Sequence, residues 1–128
     1  MIEFDYARRS QRRTIDLPCD LVGRDWDRPL CHRIVDLSPH GAWVRTALPL
    51  QPGEQVVVGF RPPKWERELS LFATVKRSVR AGRGGARNGM ALEFLDLTRA
   101  ERRLLQHSLK GLPTTEACRH HVARLARL

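Results

Sequence analysis

No apolar run in this chain of 128 residues reaches the roughly 18 residues that a membrane-spanning helix needs. The first residues, Met1 to Tyr6, carry charge where a secretory leader would carry an apolar segment. These two absences predict a cytoplasmic protein with no membrane insertion. Cysteine is scarce too. Cys19, Cys31 and Cys118 are odd in number and contain no C-x-x-C pair, so reduced, structural thiols are expected rather than a disulfide framework. Also missing are a P-loop, a defensible Ser-His-Asp set and a recognisable pair of catalytic carboxylates, which argues for a binding module and against an enzyme. The glycines of Gly82 to Gly85 do not make a dinucleotide fingerprint, because the pattern fails at Arg87 and a strand follows. A metal site at Cys118, His120 and His121 fares no better. On a helix Cys118 and His121 share a face, but His120 points elsewhere and no fourth ligand has a recognisable spacing. Internal repeats and low-complexity segments are lacking as well.

What the chain has in excess is arginine. The net charge is +9, and of the 23 basic residues only Lys64, Lys76 and Lys110 are lysine. A basic surface favours anionic partners, whether a phosphorylated ligand, nucleic acid or an acidic protein. Guanidinium forks suit bidentate phosphate contacts and stacking on bases. A length of 128 residues suits one domain with a modest core.

Alternating apolar and polar residues dominate from Thr14 onward. Ile15, Leu17, Cys19 and Leu21 share one face of a first strand, Thr14 to Val22. A second strand runs from Arg28 to Leu37, with Ile34 expected on the face of Asp36, and Val35 and Leu37 on the other. Ala42 to Thr46 is a third, and Gln55 to Phe60 a fourth. Arg61-Pro62-Pro63-Lys64 must turn, since two prolines cannot donate ladder hydrogen bonds. Glu66 to Val79 is a fifth strand, with Leu69, Leu71, Ala73 and Val75 on one face. After a glycine-rich hairpin loop at positions 81–88, Met90, Leu92 and Phe94 mark a sixth. Six short strands with tight connections predict a mainly β fold, a small six-stranded antiparallel barrel with C-terminal α-helices.

The period changes after Asp96. Thr98-Arg99-Ala100-Glu101 is a capping box that opens a helix to about Lys110, stopped by Gly111 and Pro113. Its apolar stripe, Leu104, Leu105, Ser108 and Leu109, is suited to closing one mouth of the barrel. A second, basic helix is expected from Thr114 or Thr115 to Leu128, with Cys118, Val122 and Leu125 on one stripe. Such a short helix is marginal alone, so it should pack on the barrel, on a second copy of the chain or on an acidic partner. The expected organisation is an arm at 1–13, a barrel at 14–97 and a helical segment at 98–128.

Two stretches remain. Arg8-Arg9-Ser10-Gln11-Arg12-Arg13 is an arginine-rich arm with no apolar period. Asp36-Leu37-Ser38-Pro39-His40-Gly41 joins two alternating runs; Asp36 and Ser38, two positions apart, point the same way off a strand end. Gly41 is expected to permit a turn that a β-carbon would obstruct and to keep that shelf open. Together the stretches resemble the signature of PilZ domains, bacterial receptors for the second messenger cyclic di-GMP, in which an R-x-x-x-R arm precedes a D/N-x-S-x-x-G strand end. Arg9 and Arg13 supply the arm, and Arg8 with Arg12 also satisfies its spacing. The first pair is preferred because Thr14 to Pro18 follows where the family's first strand begins. The resemblance covers Arg8 to the helix after Asp96.

The resemblance implies a barrel of this kind and a signal-transducing receptor that binds cyclic di-GMP through Arg8, Arg9, Arg13, Asp36, Ser38 and Gly41 and acts on a protein partner. Arginine forks match the O6 and N7 edge of guanine or clamp phosphate. Asp36 can accept from the guanine N1–H and amine, and the Ser38 hydroxyl can hold the base or nearby backbone. An arginine at the place of Arg8 implies two stacked ligand molecules per chain. His40, at a variable position, and Trp43, which can stack on a base or simply line the barrel wall, stay open. Competing with the receptor are a small basic nucleic-acid-binding protein and a PilZ-like scaffold that works only through protein contacts.

Overall fold

The computed structural model describes residues 12–80 and 88–114. Arg8, Arg9, the glycine-rich loop and the expected second helix with Cys118, His120 and His121 lie outside the described residues. Six strands close into an antiparallel barrel: β1 (Arg13–Gly23), β2 (Leu30–Ser38), β3 (Gly41–Arg45), β4 (Gln55–Phe60), β5 (Leu69–Val79) and β6 (Gly89–Phe94). Their order around the barrel is β1-β2-β3-β6-β5-β4, with β4 paired back to β1. Closure is made over Asp20 to Gly23 of β1, which pair with Val56 to Gly59 of β4.

The inward residues are those the alternation marks. Cys19, Leu21, Val56, Val58, Phe60, Leu69, Leu71, Ala73, Val75, Met90, Leu92 and Phe94 are buried in one core, where Phe60 and Phe94 stack with centroids 5.9 Å apart. Burial pushes the Cys19 thiol up to about 12, with the neighbouring Cys31 and Asp20 adding to it, which leaves it an inert core residue. Cys31, by contrast, is exposed rather than structural. Strand β5 begins at Leu69, three residues later than its alternation starts, because Glu66 to Glu68 belong to the preceding turn region. The Pro62–Pro63 segment does turn: Trp65 N–H donates to the Pro62 carbonyl at 3.1 Å, and Lys64 takes a left-handed φ of 70°.

Strand β2 departs from simple alternation where it matters most. Ile34 and Leu37, three residues apart, are both fully buried in the core. A shift in the β2–β3 register between Ile34 and Asp36 makes this possible. Ile34 pairs with Val44 and Asp36 with Trp43, so Val35 is the extra residue of a β-bulge. The expected face-sharing of Ile34 with Asp36 is therefore corrected. Leu37 points into the core between Asp36 and Ser38, which both face outward.

After β6 comes α1 (Arg99–Ser108), capped by Thr98. The Thr98 hydroxyl accepts from Glu101 N–H at 3.1 Å, and Thr98 N–H donates to the Glu101 carboxylate at 2.9 Å. Leu105 and Leu109 enter the core, while Leu104, expected on the same stripe, is 57% exposed. The chain leaving α1 returns to the start of β1: Thr14 N–H donates to the Pro113 carbonyl at 2.9 Å, and Arg13 forms an isolated bridge with Thr114. No helix among the described residues is long and apolar enough to cross a membrane.

Candidate functional site at the root of the arm

The start of β1 lies beside the end of β2, so the arginine arm is rooted at the Asp-Ser-Gly turn. Arg13 pairs with Leu37, and Thr14 with Asp36. Arg12 Nη1 stands 4.0 Å from Asp36 Oδ2, and Asp36 is 6% exposed. A carboxylate that deeply placed needs a cation or donors nearby, and the arm's root supplies a guanidinium. Arg13 is directed elsewhere, its Nη1 donating to the Leu112 carbonyl at 3.0 Å. The two arginines at the arm's root thus serve different partners, one the carboxylate and the other the segment after α1.

The turn between β2 and β3 is tied by Ser38. Its hydroxyl accepts from His40 N–H at 3.2 Å and from Gly41 N–H at 3.3 Å, and donates to the Gly41 carbonyl at 3.4 Å. These bonds satisfy backbone groups that would otherwise be buried unpaired. Ser38 accordingly shapes the shelf that carries Asp36, the backbone-holding alternative of the two its hydroxyl was expected to serve.

Gly41 is needed for a reason other than the turn. Its φ is not left-handed, but a β-carbon there would stand 2.1 Å from the Leu92 carbonyl oxygen on β6. Only glycine lets β3 approach β6 this closely. His40 lies at the corner of the same turn. Burial and the Arg102 guanidinium hold its imidazole below the ordinary value of 6.5, partly opposed by Glu93, so it is neutral at pH 7.

Trp43 is the residue the motif left undecided. It pairs with Asp36 across the bulge, is half-buried on the outer face of β3 and lies beneath the Arg77 guanidinium, 5.4 Å from its ring centroid. Cross-strand register is what brings Trp43 beside Asp36, and a bulge that single-strand alternation cannot foresee sets that register. Among the described residues no cluster of His, Cys, Asp or Glu could hold a metal ion.

The E. coli protein YcgR, whose PilZ domain is solved with c-di-GMP, is 20% identical, with a TM-score of 0.60 covering 94% of this chain and 98% of that one. The PilZ domain of CeSA from a cellulose-synthesizing bacterium is 18% identical, with a TM-score of 0.58 covering 80% and 97%. The Bacillus subtilis inhibitor of motility MotI is 20% identical, with a TM-score of 0.65 over 78% of this chain. The chain spans about half of MotI's length, 47%. No curated protein matches the chain at a significant level. At these identities the solved structures speak to fold alone. The family profile described as the PilZ domain matches residues 7–111, a span that contains the arm, the Asp-Ser-Gly turn, the whole barrel and α1. The chain belongs to the PilZ domain family.

Proposed function

We propose that this protein is a cyclic di-GMP receptor that binds its ligand where the arginine arm meets Asp36 and passes the signal to a protein partner. The observation that carries the reading is the placing of Arg12 beside Asp36 across the β1–β2 register, with Arg13 at the adjoining position, in a chain whose family profile spans both motifs. Asp36 accepts from the guanine N1–H and amine, arginine forks take guanine edges or phosphates, and the Ser38 turn holds the carboxylate in place. Arg8 and Arg9 complete the arm. A third guanidinium beside the pair suits two stacked molecules per chain, which offer more phosphates and guanine edges than two arginines satisfy.

Ordering the arm costs roughly 1–2 kcal/mol per residue fixed. Charge-assisted hydrogen bonds of roughly 1.5–3 kcal/mol each offset a short arm of that size. Arg13 adds a conformational consequence. Its guanidinium is engaged with the Leu112 carbonyl, so recruiting it to a phosphate loosens the β1 start from the segment after α1. That exchange is the proposed route from ligand to partner.

Isothermal titration of the full chain with cyclic di-GMP, with cyclic di-AMP and duplex DNA as competitors, tests the reading. The expected result is saturable binding at two ligands per chain, which duplex DNA does not displace and cyclic di-AMP displaces only at higher concentration. A ratio of one that Arg8→Leu leaves unchanged removes the two-molecule reading. Absence of binding, or displacement by duplex DNA with a steep salt dependence, defeats the receptor reading in favour of a nucleic-acid binder.

A further inference from the structure

One row of outward-facing positions crosses four strands beside the arm's root. Asp36 on β2 pairs with Trp43 on β3, Trp43 with Ala91 on β6, and Ala91 with Arg77 on β5. Trp43 rests against Gly89, where a β-carbon would stand 2.6 Å from the indole Nε1, so glycine at that point is what lets the ring lie against the sheet. The Arg77 guanidinium stands over the ring at 5.4 Å from its centroid, within the distance of about 6 Å at which a cation is held by an aromatic face.

The next outward row is also basic. Arg33 and Arg45 face each other across β2 and β3, an arrangement of like charges that costs stability. Asp16 takes up Arg33 at 2.8 Å, while Arg45 has no ion pair among the described residues. An aromatic plane bounded by a carboxylate on one side and by guanidinium groups on two others has the composition of a nucleotide subsite. The ring takes the base, the carboxylate reads its donor edge and the cations take phosphate.

We propose that this face carries a purine-stacking subsite, in which Trp43 is the platform for one base of a cyclic dinucleotide, Arg77 its displaceable cover and Arg45 an anion contact. The proposal deepens the receptor reading and rests on it. Stacking is tolerant of base identity because every base has a π-face, whereas Asp36 distinguishes guanine from adenine by its donors. Trp43 therefore contributes affinity and Asp36 contributes selectivity, and the two contributions are separable.

With Trp26→Phe and Trp65→Phe, Trp43 is the only tryptophan left of three. Titrating that full chain with cyclic di-GMP should quench Trp43 emission saturably, at the midpoint that calorimetry gives, and protect it from acrylamide. Arg77→Ala should make Trp43 more open to acrylamide before ligand is added and leave the protection by ligand intact. Trp43→Leu should weaken cyclic di-GMP and cyclic di-AMP by the same factor, roughly five- to a hundredfold. Asp36→Asn should instead change the ratio between them. If calorimetry shows the native protein binding cyclic di-GMP while Trp43 emission and acrylamide access do not change, the subsite is wrong and the receptor reading stands. A native protein silent to both dinucleotides in calorimetry ends the receptor reading and the subsite with it.

Discussion

Asp36, Ser38 and Gly41 are held by contacts a few residues away or across one strand pair, whereas Arg13 is held by a carbonyl 99 residues along the chain. The first region is built into the barrel. Ser38 closes its own turn, the β2 bulge sets the outward direction of Asp36, and β6 admits only glycine at position 41. The arm's root is fastened instead to the chain emerging from α1. On the proposed reading, the first region is preorganised for the ligand, whereas the second would give up its Leu112 contact to take part. Preorganisation lowers the ordering cost of binding, and displacement is what lets binding be felt elsewhere.

The hardest test of the rigid half is Gly41→Ala. A β-carbon 2.1 Å from the Leu92 carbonyl forces β3 and β6 apart, and the expected loss of stability is about 3 kcal/mol by denaturant unfolding. A melting transition close to that of the native chain would show that β3 is not pinned by β6. For the adaptable half, Arg13→Ala should cost about 1.5–3 kcal/mol of cyclic di-GMP binding, and the barrel should survive. Amide exchange at Thr14, which donates to the Pro113 carbonyl, should quicken when ligand binds the native chain. If Arg13→Ala binds normally and Arg12→Ala does not, the arm's register shifts by one residue.

Ser38→Ala sharpens the comparison from the other side. Because the hydroxyl is engaged with its own turn, the loss should appear as about 1 kcal/mol of stability. Affinity should fall less than it does for Asp36→Ala. The smallest effect concerns pH. His40 is held below 6.5 in the folded chain, so the unfolded chain binds that proton more readily. Its contribution is present above pH 6.5 and is lost as pH falls through the lowered value. Urea midpoints at pH 7 and pH 5 should differ slightly less for His40→Ala than for the native protein.

Much of the fold was legible in the residues. Ile15, Leu17, Cys19 and Leu21 on β1, and Leu69, Leu71, Ala73 and Val75 on β5, share their faces as a period of two requires. Thr98 and Glu101 form the capping box that their spacing announces. Where alternation failed, the reason was a partner strand. The bulge at Val35 exists because Ile34 and Leu37 must both face a core that Val44 and Ala42 also line, and no single-strand pattern contains that demand.

By itself the sequence determined the barrel, its C-terminal helix and the two motifs that mark the family. Those features depend on side-chain periodicity and on residue types at short spacing, and both are local. Only the tertiary structure decided what each motif residue does. Closing the barrel placed Gly41 against Leu92, Trp43 beside Asp36 and beneath Arg77, and Arg13 against Leu112. Each of these contacts joins residues on different strands or at opposite ends of the chain. Strand register and the path of the chain after α1 set them, and neither is written in any one segment.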